Sequence, residues 1–217
     1  MNYKYVILDF GKVIAKPSSG DWDITPKFLE LIDINKINKE KWKELRAKYG
    51  SILSEKVTNL TEEYNMFLRF YGSILSEFDI SDKVIKEISY NRTYDLEKYT
   101  LYPNIKNELE QLNAKYKLIL LTDNWPCVIN FLKTYNLFGF FEKIYISSFY
   151  GVEKKDGELF DFPIKDFNIK PGEALFIDDN ELNLDIGKEK GLDVMLMDRE
   201  KKVKISKYKI INELTDI

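Results

Sequence analysis

Residues 5–8, 117–121, 174–177 and 194–197 form four short apolar runs, and a fifth at 143–146 is shorter and alternates in polarity. Each neighbours a stretch whose apolar residues recur at helical spacing: residues 104–116, 128–135, 159–167 and 180–190. Strands that alternate with helices predict βαβ units and a parallel sheet, and near-continuous apolar strands predict burial on both faces. The expected fold class is therefore α/β.

Between residues 16 and 99 the alternation stops. Phe28, Leu31 and Ile32, then Trp42, Leu45 and Tyr49, then Tyr64, Phe67, Leu68, Tyr71 and Leu75 fall at helical spacing. Thr61-Glu62-Glu63 and Ser81-Asp82 read as helix starts. The expected organisation is a core of residues 1–15 and 100–217 with a helical insert, residues 16–99. The insert leaves the chain just past the first strand, at the edge where open α/β sheets bind ligands, so it is placed to cover a site there. Residues 201–217 read as an edge strand or loop followed by a short helix at 210–214.

Composition narrows the function classes. The 217 residues suffice for one sizeable core or a core plus a smaller unit, and 44% hydrophobic with 32% charged residues is an ordinary globular balance. The net charge of -3 comes with no long single-sign run, so nothing points to a nucleic-acid or membrane partner. The apolar start, interrupted at Asp9, is too short for a signal peptide or a span. A lone cysteine, Cys127, makes no internal disulfide and fits a reducing, cytoplasmic compartment; it reads as a small apolar residue on a helix. The chain has no histidine, which removes Ser-His-Asp hydrolysis, Cys-His nucleophiles and histidine-ligated zinc together. What remains is carboxylates, lysines, hydroxyls and backbone amides, which suit Mg²⁺ and phosphate.

Four strand ends carry such groups. The first run ends in Asp9-Phe10-Gly11, where glycine lets the backbone pass close to a ligand; alone, this is also a common turn motif. The run at 174–177 ends in Asp178-Asp179-Asn180, with Asn183 and Asp185 beyond. A helix cap needs only one such residue, and adjacent carboxylates repel unless a cation is present. Neighbouring strands lie about 4.8 Å apart, so Asp9 and this pair are expected to share one Mg²⁺. The run at 117–121 leads into Thr122-Asp123-Asn124 and a helix beginning near Pro126, a place for phosphate oxygens. The run at 143–146 leads through Gly151 to Lys154, whose ammonium would neutralise nucleophile and phosphate.

Together these segments resemble the haloacid dehalogenase-like superfamily, in order and spacing, from Tyr5 to about Met197. Asp9-Phe10-Gly11-Lys12-Val13-Ile14 is similar to its first motif, Leu121-Thr122-Asp123-Asn124 to the second, Gly151-Val152-Glu153-Lys154 to the third, and Phe176-Ile177-Asp178-Asp179 with Asn183 to the fourth. The helical insert matches the cap that subfamily I places between the first two motifs. The resemblance implies a Rossmann-like three-layer core and, by analogy with the family's phosphatases (phosphoric monoester hydrolases), an aspartyl-phosphate intermediate. It makes Asp9 the nucleophile and a metal ligand, and has Gly11 offer its carbonyl to Mg²⁺. Asp179 becomes the principal fourth-motif ligand, with Asp178 its neighbour acting through water, and Asn183 stands where a second acid is frequent. Thr122 and the amide of Asp123 would bind phosphate, and Lys154 would pair with Asp9 and bind phosphate. The implied cofactor is Mg²⁺, and the implied substrate a small phosphorylated metabolite such as a sugar phosphate.

Two positions depart from the pattern: Gly11 stands where most family phosphatases carry a second Asp, and Lys155 where a proline is usual. The missing acid donates a proton to the leaving oxygen, a contribution of about 10²–10⁴ in rate. A D-x-G first motif with a D-D-N fourth motif resembles sugar-1-phosphate phosphatases, whose anomeric leaving group needs that acid less. Lys12, Asp21 and Asp23 are the candidate replacements. Besides a phosphatase, two readings stay open: a weakly active or inactive relative with a binding or regulatory role, and a metal-free dehalogenase-type hydrolase. Trp22, Trp42, Tyr64, Phe67 and Trp125 are the aromatic candidates for substrate contact.

Overall fold

The computed structural model describes residues 3–217. Its main sheet has six strands in the order β5-β4-β1-β6-β7-β8: β1 is Tyr5–Leu8, β4 Lys117–Thr122, β5 Phe141–Ile146, β6 Ala174–Asp178, β7 Asp193–Met197 and β8 Ile210–Ile211. Every neighbouring pair in it is parallel. The five apolar runs are thus five of the strands.

Residues alternate between the two faces even though both are buried. Val6, Leu8, Leu118, Leu120, Leu175 and Ile177 pack with helices α5 (Ile105–Asn113) and α6 (Cys127–Thr134). Ile7, Ile119, Leu121 and Phe176 pack with α8 (Glu158–Asp166) and α9 (Glu181–Glu189) on the other face. The result is three layers, with side chains of both signs of the pleat removed from water.

The insert holds α1 (Pro26–Leu31), α2 (Lys39–Tyr49), α3 (Leu60–Leu75) and α4 (Asp82–Tyr94) around its own apolar cluster, which includes Phe28, Leu45, Phe67, Phe70 and Ile88. Asn59 caps α3 by accepting from Glu62 N at 3.0 Å, so that helix starts at Leu60, one residue before the Thr61 expected from sequence. Two short strands not foreseen, β2 (Ala15–Pro17) and β3 (Tyr99–Leu101), pair antiparallel where the chain leaves and re-enters the core. They are three residues each, too short for a hydrophobic period to register. Helix α7, Ser147–Tyr150, is a single turn after β5.

Near the C-terminus, residues 210–214 are not a helix. Ile210 and Ile211 add a parallel edge strand to β7, and a 3₁₀ turn follows at Leu214–Asp216. Pairing with an open sheet edge overrides the weak local preference of so short a segment.

Candidate active site

Parallel register decides which side chains meet. Leu8 is level with Leu120 and with Ile177, and Asp9 N donates to Ile177 O at 3.0 Å. One residue further, Asp9, Asp178 and the Thr122 end of β4 therefore emerge at the same sheet edge. Asp9, Asp178 and Asp179 each place a carboxylate oxygen within 4.8 Å of the others. The α9 cap is Asn180, whose side chain accepts from Leu182 N at 3.0 Å, so neither aspartate is consumed in capping.

Lys154 reaches this cluster from the turn after α7. Gly151, at φ 74, ends that helix in the left-handed region, where a side chain would be strained. A capping box between Glu153 and Asp156 then sets the 3₁₀ turn Lys154–Asp156. Lys154 Nζ donates to Asp9 Oδ1 at 2.7 Å and to Asp178 Oδ2 at 2.6 Å, and its side chain is only 3% exposed. Asp178 also accepts from Asn183 Nδ2 at 3.0 Å and from Asn180 N at 2.8 Å. Asp123 serves the same loop, since its Oδ1 accepts from Lys154 N at 3.0 Å. Lys12, at φ 51, swings outward and pairs with Asp179 Oδ2 at 3.0 Å.

One ammonium shared by two buried carboxylates leaves negative charge in excess. Burial pushes the Asp9 carboxyl up to about 7, with Asp178 and Asp179 adding to it against the pull of Lys154. Asp179 is also raised, by burial first, against its bond to Lys12. Burial opposes the charge on Lys154, but Asp178, Asp9 and Asp123 outweigh it and hold the ammonium above the ordinary lysine range. Three hard oxygen donors in a pocket short of positive charge are the donor set of Mg²⁺, so the residues fit that ion.

The cavity over this cluster measures about 290 Å³. From the sheet edge Asp9, Gly11, Thr122, Asp123 and Lys154 line it; from the insert side come Trp22, Asp23, Arg46 and Arg92. The Thr122 hydroxyl makes no hydrogen bond to another protein group among the described residues, which leaves it free for a ligand. The residues expected as nucleophile, metal ligands and phosphate binders all line this one cavity, Asp178, Asp179 and Asn183 included.

At Gly11 the limit is space and not backbone conformation, since the positive φ falls on Lys12. A Cβ there would lie 3.2 Å from Trp22 Cζ2 and 3.3 Å from Asp9 Oδ2. The indole of Trp22 thus crowds the place where a second acid would begin. Among the candidate proton donors, Lys12 is tied to Asp179, and Asp21 is absent from the cavity wall. Asp23 lines the cavity and pairs with Arg46 Nε at 2.8 Å.

Of the aromatic candidates, Trp22 and Trp125 line the cavity. Trp125 also ties the insert to the core by donating from Nε1 to Leu53 O at 3.2 Å. Trp42 packs on Phe28, Phe67 is buried against Trp125, and Tyr64 meets Tyr90 edge-on and Tyr94 at a tilt, so these three are packing residues. Cys127 is buried, as expected, and its thiol is pushed up to about 11 by burial and by Glu63. Glu63, legible in the sequence only as part of a helix start, reaches from α3 to accept from Cys127 N at 2.8 Å. Arg92 carried no site motif in the sequence. Both lie at core positions of helices, and a charged residue on an apolar stripe was the available signal.

No helix among the described residues is long and apolar enough to cross a membrane. The family model of haloacid dehalogenase-like hydrolases matches residues 6–197. A curated relative, the D-ribitol-5-phosphate phosphatase of Bacteroides thetaiotaomicron, is 36% identical over 89 residues; the match covers 38% of this chain and 43% of that protein. Among solved structures, the HAD-hydrolase YfnB of Bacillus subtilis, bound to magnesium, superposes with TM-score 0.67 at 16% identity, covering 100% of this chain and 97% of that one. The L-2-haloacid dehalogenase of Xanthobacter autotrophicus gives TM-score 0.65 at 15% identity, with coverage of 99% and 96%. At these identities the two structures speak for the fold alone.

Proposed function

The chain belongs to the haloacid dehalogenase-like hydrolases, and from that premise we infer that it is a Mg²⁺-dependent phosphatase acting through an aspartyl-phosphate on Asp9. The observation that carries this reading is the buried Asp9–Lys154–Asp178 bridge inside the three-carboxylate cluster. Asp9, Asp178 and Asp179, with the Gly11 carbonyl, would hold the ion; when bound it would offset the charge of phosphate and carboxylate.

The chain's own groups then divide the reaction into two displacements. Lys154 and the Thr122 hydroxyl, with the amide of Asp123, hold the phosphate oxygens. A carboxylate oxygen of Asp9 attacks phosphorus, the P–O ester bond breaks, and the leaving oxygen takes a proton from a water molecule. Water then attacks the acyl phosphate at phosphorus, releasing inorganic phosphate and restoring Asp9. With Trp22 packed on Gly11, no acid stands two residues after the nucleophile, which favours leaving groups that need little protonation. The insert acts as a cap that screens the site from bulk solvent. The curated relative acts on a phosphorylated polyol, which supports a small phosphorylated metabolite of the sugar or polyol kind as the substrate class.

The test is hydrolysis of a panel of phosphate monoesters with Mg²⁺ and with chelator, beside Asp9→Asn. Metal-dependent turnover abolished in the variant is expected, as is trapping of beryllofluoride on wild-type Asp9. Turnover that survives Asp9→Asn sinks the nucleophile assignment, and turnover indifferent to chelator would favour a metal-free hydrolase.

A further inference from the structure

Three cationic side chains line the catalytic cavity, and two of them are spoken for. Lys154 is taken by Asp9 and Asp178, and Arg46 by Asp23. The third, Arg92 on α4, has no carboxylate within ion-pairing distance among the described residues, although it is 1% exposed. Its guanidinium finds only phenol oxygens close by: Nη1 donates to Tyr99 Oη at a long 3.4 Å, and the Tyr71 hydroxyl also interacts with it. Its Nε is buried with no partner.

The guanidinium is held in place by ring faces, with centroids at 4.6 Å for Phe67, 5.2 Å for Trp125 and 5.8 Å for Tyr99. Those contacts attract a cation but offer it no acceptor oxygen. Glu63 is the nearby counter-charge, yet it makes no ion pair with Arg92, and a buried guanidinium with only long or phenolic acceptors and an unpartnered Nε keeps donor capacity for a ligand in the cavity.

We propose that Arg92 is the substrate-recognition residue of the insert, donating to hydroxyl oxygens on the leaving-group half of a sugar or polyol phosphate. The inference rests on the phosphatase reading of the same cavity and adds which residue reads the substrate. Charge balance selects hydroxyls over a second anion. Five aspartates (Asp9, Asp23, Asp123, Asp178 and Asp179) face three cations across the cavity wall, so an additional carboxylate on the substrate meets repulsion. A hydroxyl accepts from Arg92 and donates to Asp23 or Asn124, using both kinds of group present. Trp22 and Trp125 border the same space, and indole rings suit the C–H side of a sugar.

The test compares wild type with Arg92→Gln and Arg92→Lys on three kinds of ester: sorbitol 6-phosphate and glucose 6-phosphate, 3-phosphoglycerate, and p-nitrophenyl phosphate. The readout is the ratio of kcat/KM on a hydroxylated ester to that on the aryl ester, within one preparation. That ratio is independent of the fraction of protein that is folded, so a destabilised variant still reports. In wild type the hydroxylated esters are expected to be preferred; in both variants the ratio is expected to fall by about tenfold to a hundredfold. Lysine keeps the charge but loses the planar fork, so it is not expected to rescue.

A second readout needs no turnover: in the Asp9→Asn background, Arg92→Gln is expected to weaken sorbitol 6-phosphate binding, followed by tryptophan fluorescence, by about tenfold or more. Equal loss on all esters, loss confined to 3-phosphoglycerate, or a wild type without preference for hydroxylated esters overturns the assignment while leaving the phosphatase reading intact. Absence of Mg²⁺-dependent turnover on every ester, with no beryllofluoride trapped on Asp9, removes that reading and this inference with it.

Discussion

Replacing Lys154 with methionine tests the charge logic of the site without any substrate. The variant keeps an unbranched chain of similar length but removes the ammonium from between Asp9 and Asp178, whose side chains are 9% and 1% exposed. Removing one partner of a buried ion pair costs about 3–5 kcal/mol, because the other is left charged and unpaired. Asp178 retains its bonds from Asn183 and Asn180, so Asp9 bears most of the loss. In a chain of this size each kcal/mol moves Tm by about 2–4 °C, so chelated Lys154→Met should melt about 6–20 °C below wild type. An ion that binds the native carboxylates and not the unfolded chain adds about 2.7 kcal/mol at a hundred times its Kd, or about 5–11 °C. Calorimetry of the variant with chelator and with Mg²⁺, at matched ionic strength, measures both steps. A variant within about 2 °C of wild type, or one that Mg²⁺ stabilises no more than NaCl does, would refute the claim that this lysine balances buried carboxylates.

Three further outcomes are expected. Gly11→Asp should destabilise the protein by about 1–3 kcal/mol by overpacking against Trp22, with no gain in turnover; urea unfolding of a double-mutant cycle with Trp22→Ala should recover much of that loss. In chelated wild type, Asp9 has a folded value of about 7 against an ordinary 3.8. A carboxyl raised on folding contributes stability in full below the lower value and loses it as pH rises through the upper one, so Tm should fall from about pH 4 to about pH 8, and saturating Mg²⁺ should flatten that slope. The Cys127 thiol, buried and raised to about 11, should resist a disulfide reagent such as DTNB at about pH 8 in the native state and react fully in denaturant; rapid labelling of native protein would contradict its placement.

The amino-acid sequence by itself determined five strands of the main sheet, the helical character of the insert expected at residues 16–99 and the identity of the residues at the strand ends. Buried parallel strands read as unbroken apolar runs, and Asp9, Thr122, Lys154 and the Asp178-Asp179 pair each follow one, so their type and order were legible locally. Segments of two or three residues, such as β2, β3 and β8, were not, because pairing rather than periodicity makes them strands. Tertiary structure alone decided how charges are partnered. It gave Lys154 to both Asp9 and Asp178, Lys12 to Asp179 and Arg46 to Asp23, and it left Arg92 without a carboxylate. It also set Trp22 against Gly11, a contact between residues eleven positions apart that turns a permissive glycine into a space-limited one. Hydrogen bonds and ion pairs depend on distances of a few tenths of an ångström between side chains far apart in the chain. Local pattern carries no information at that scale, whereas it fully records which face of a strand or helix avoids water.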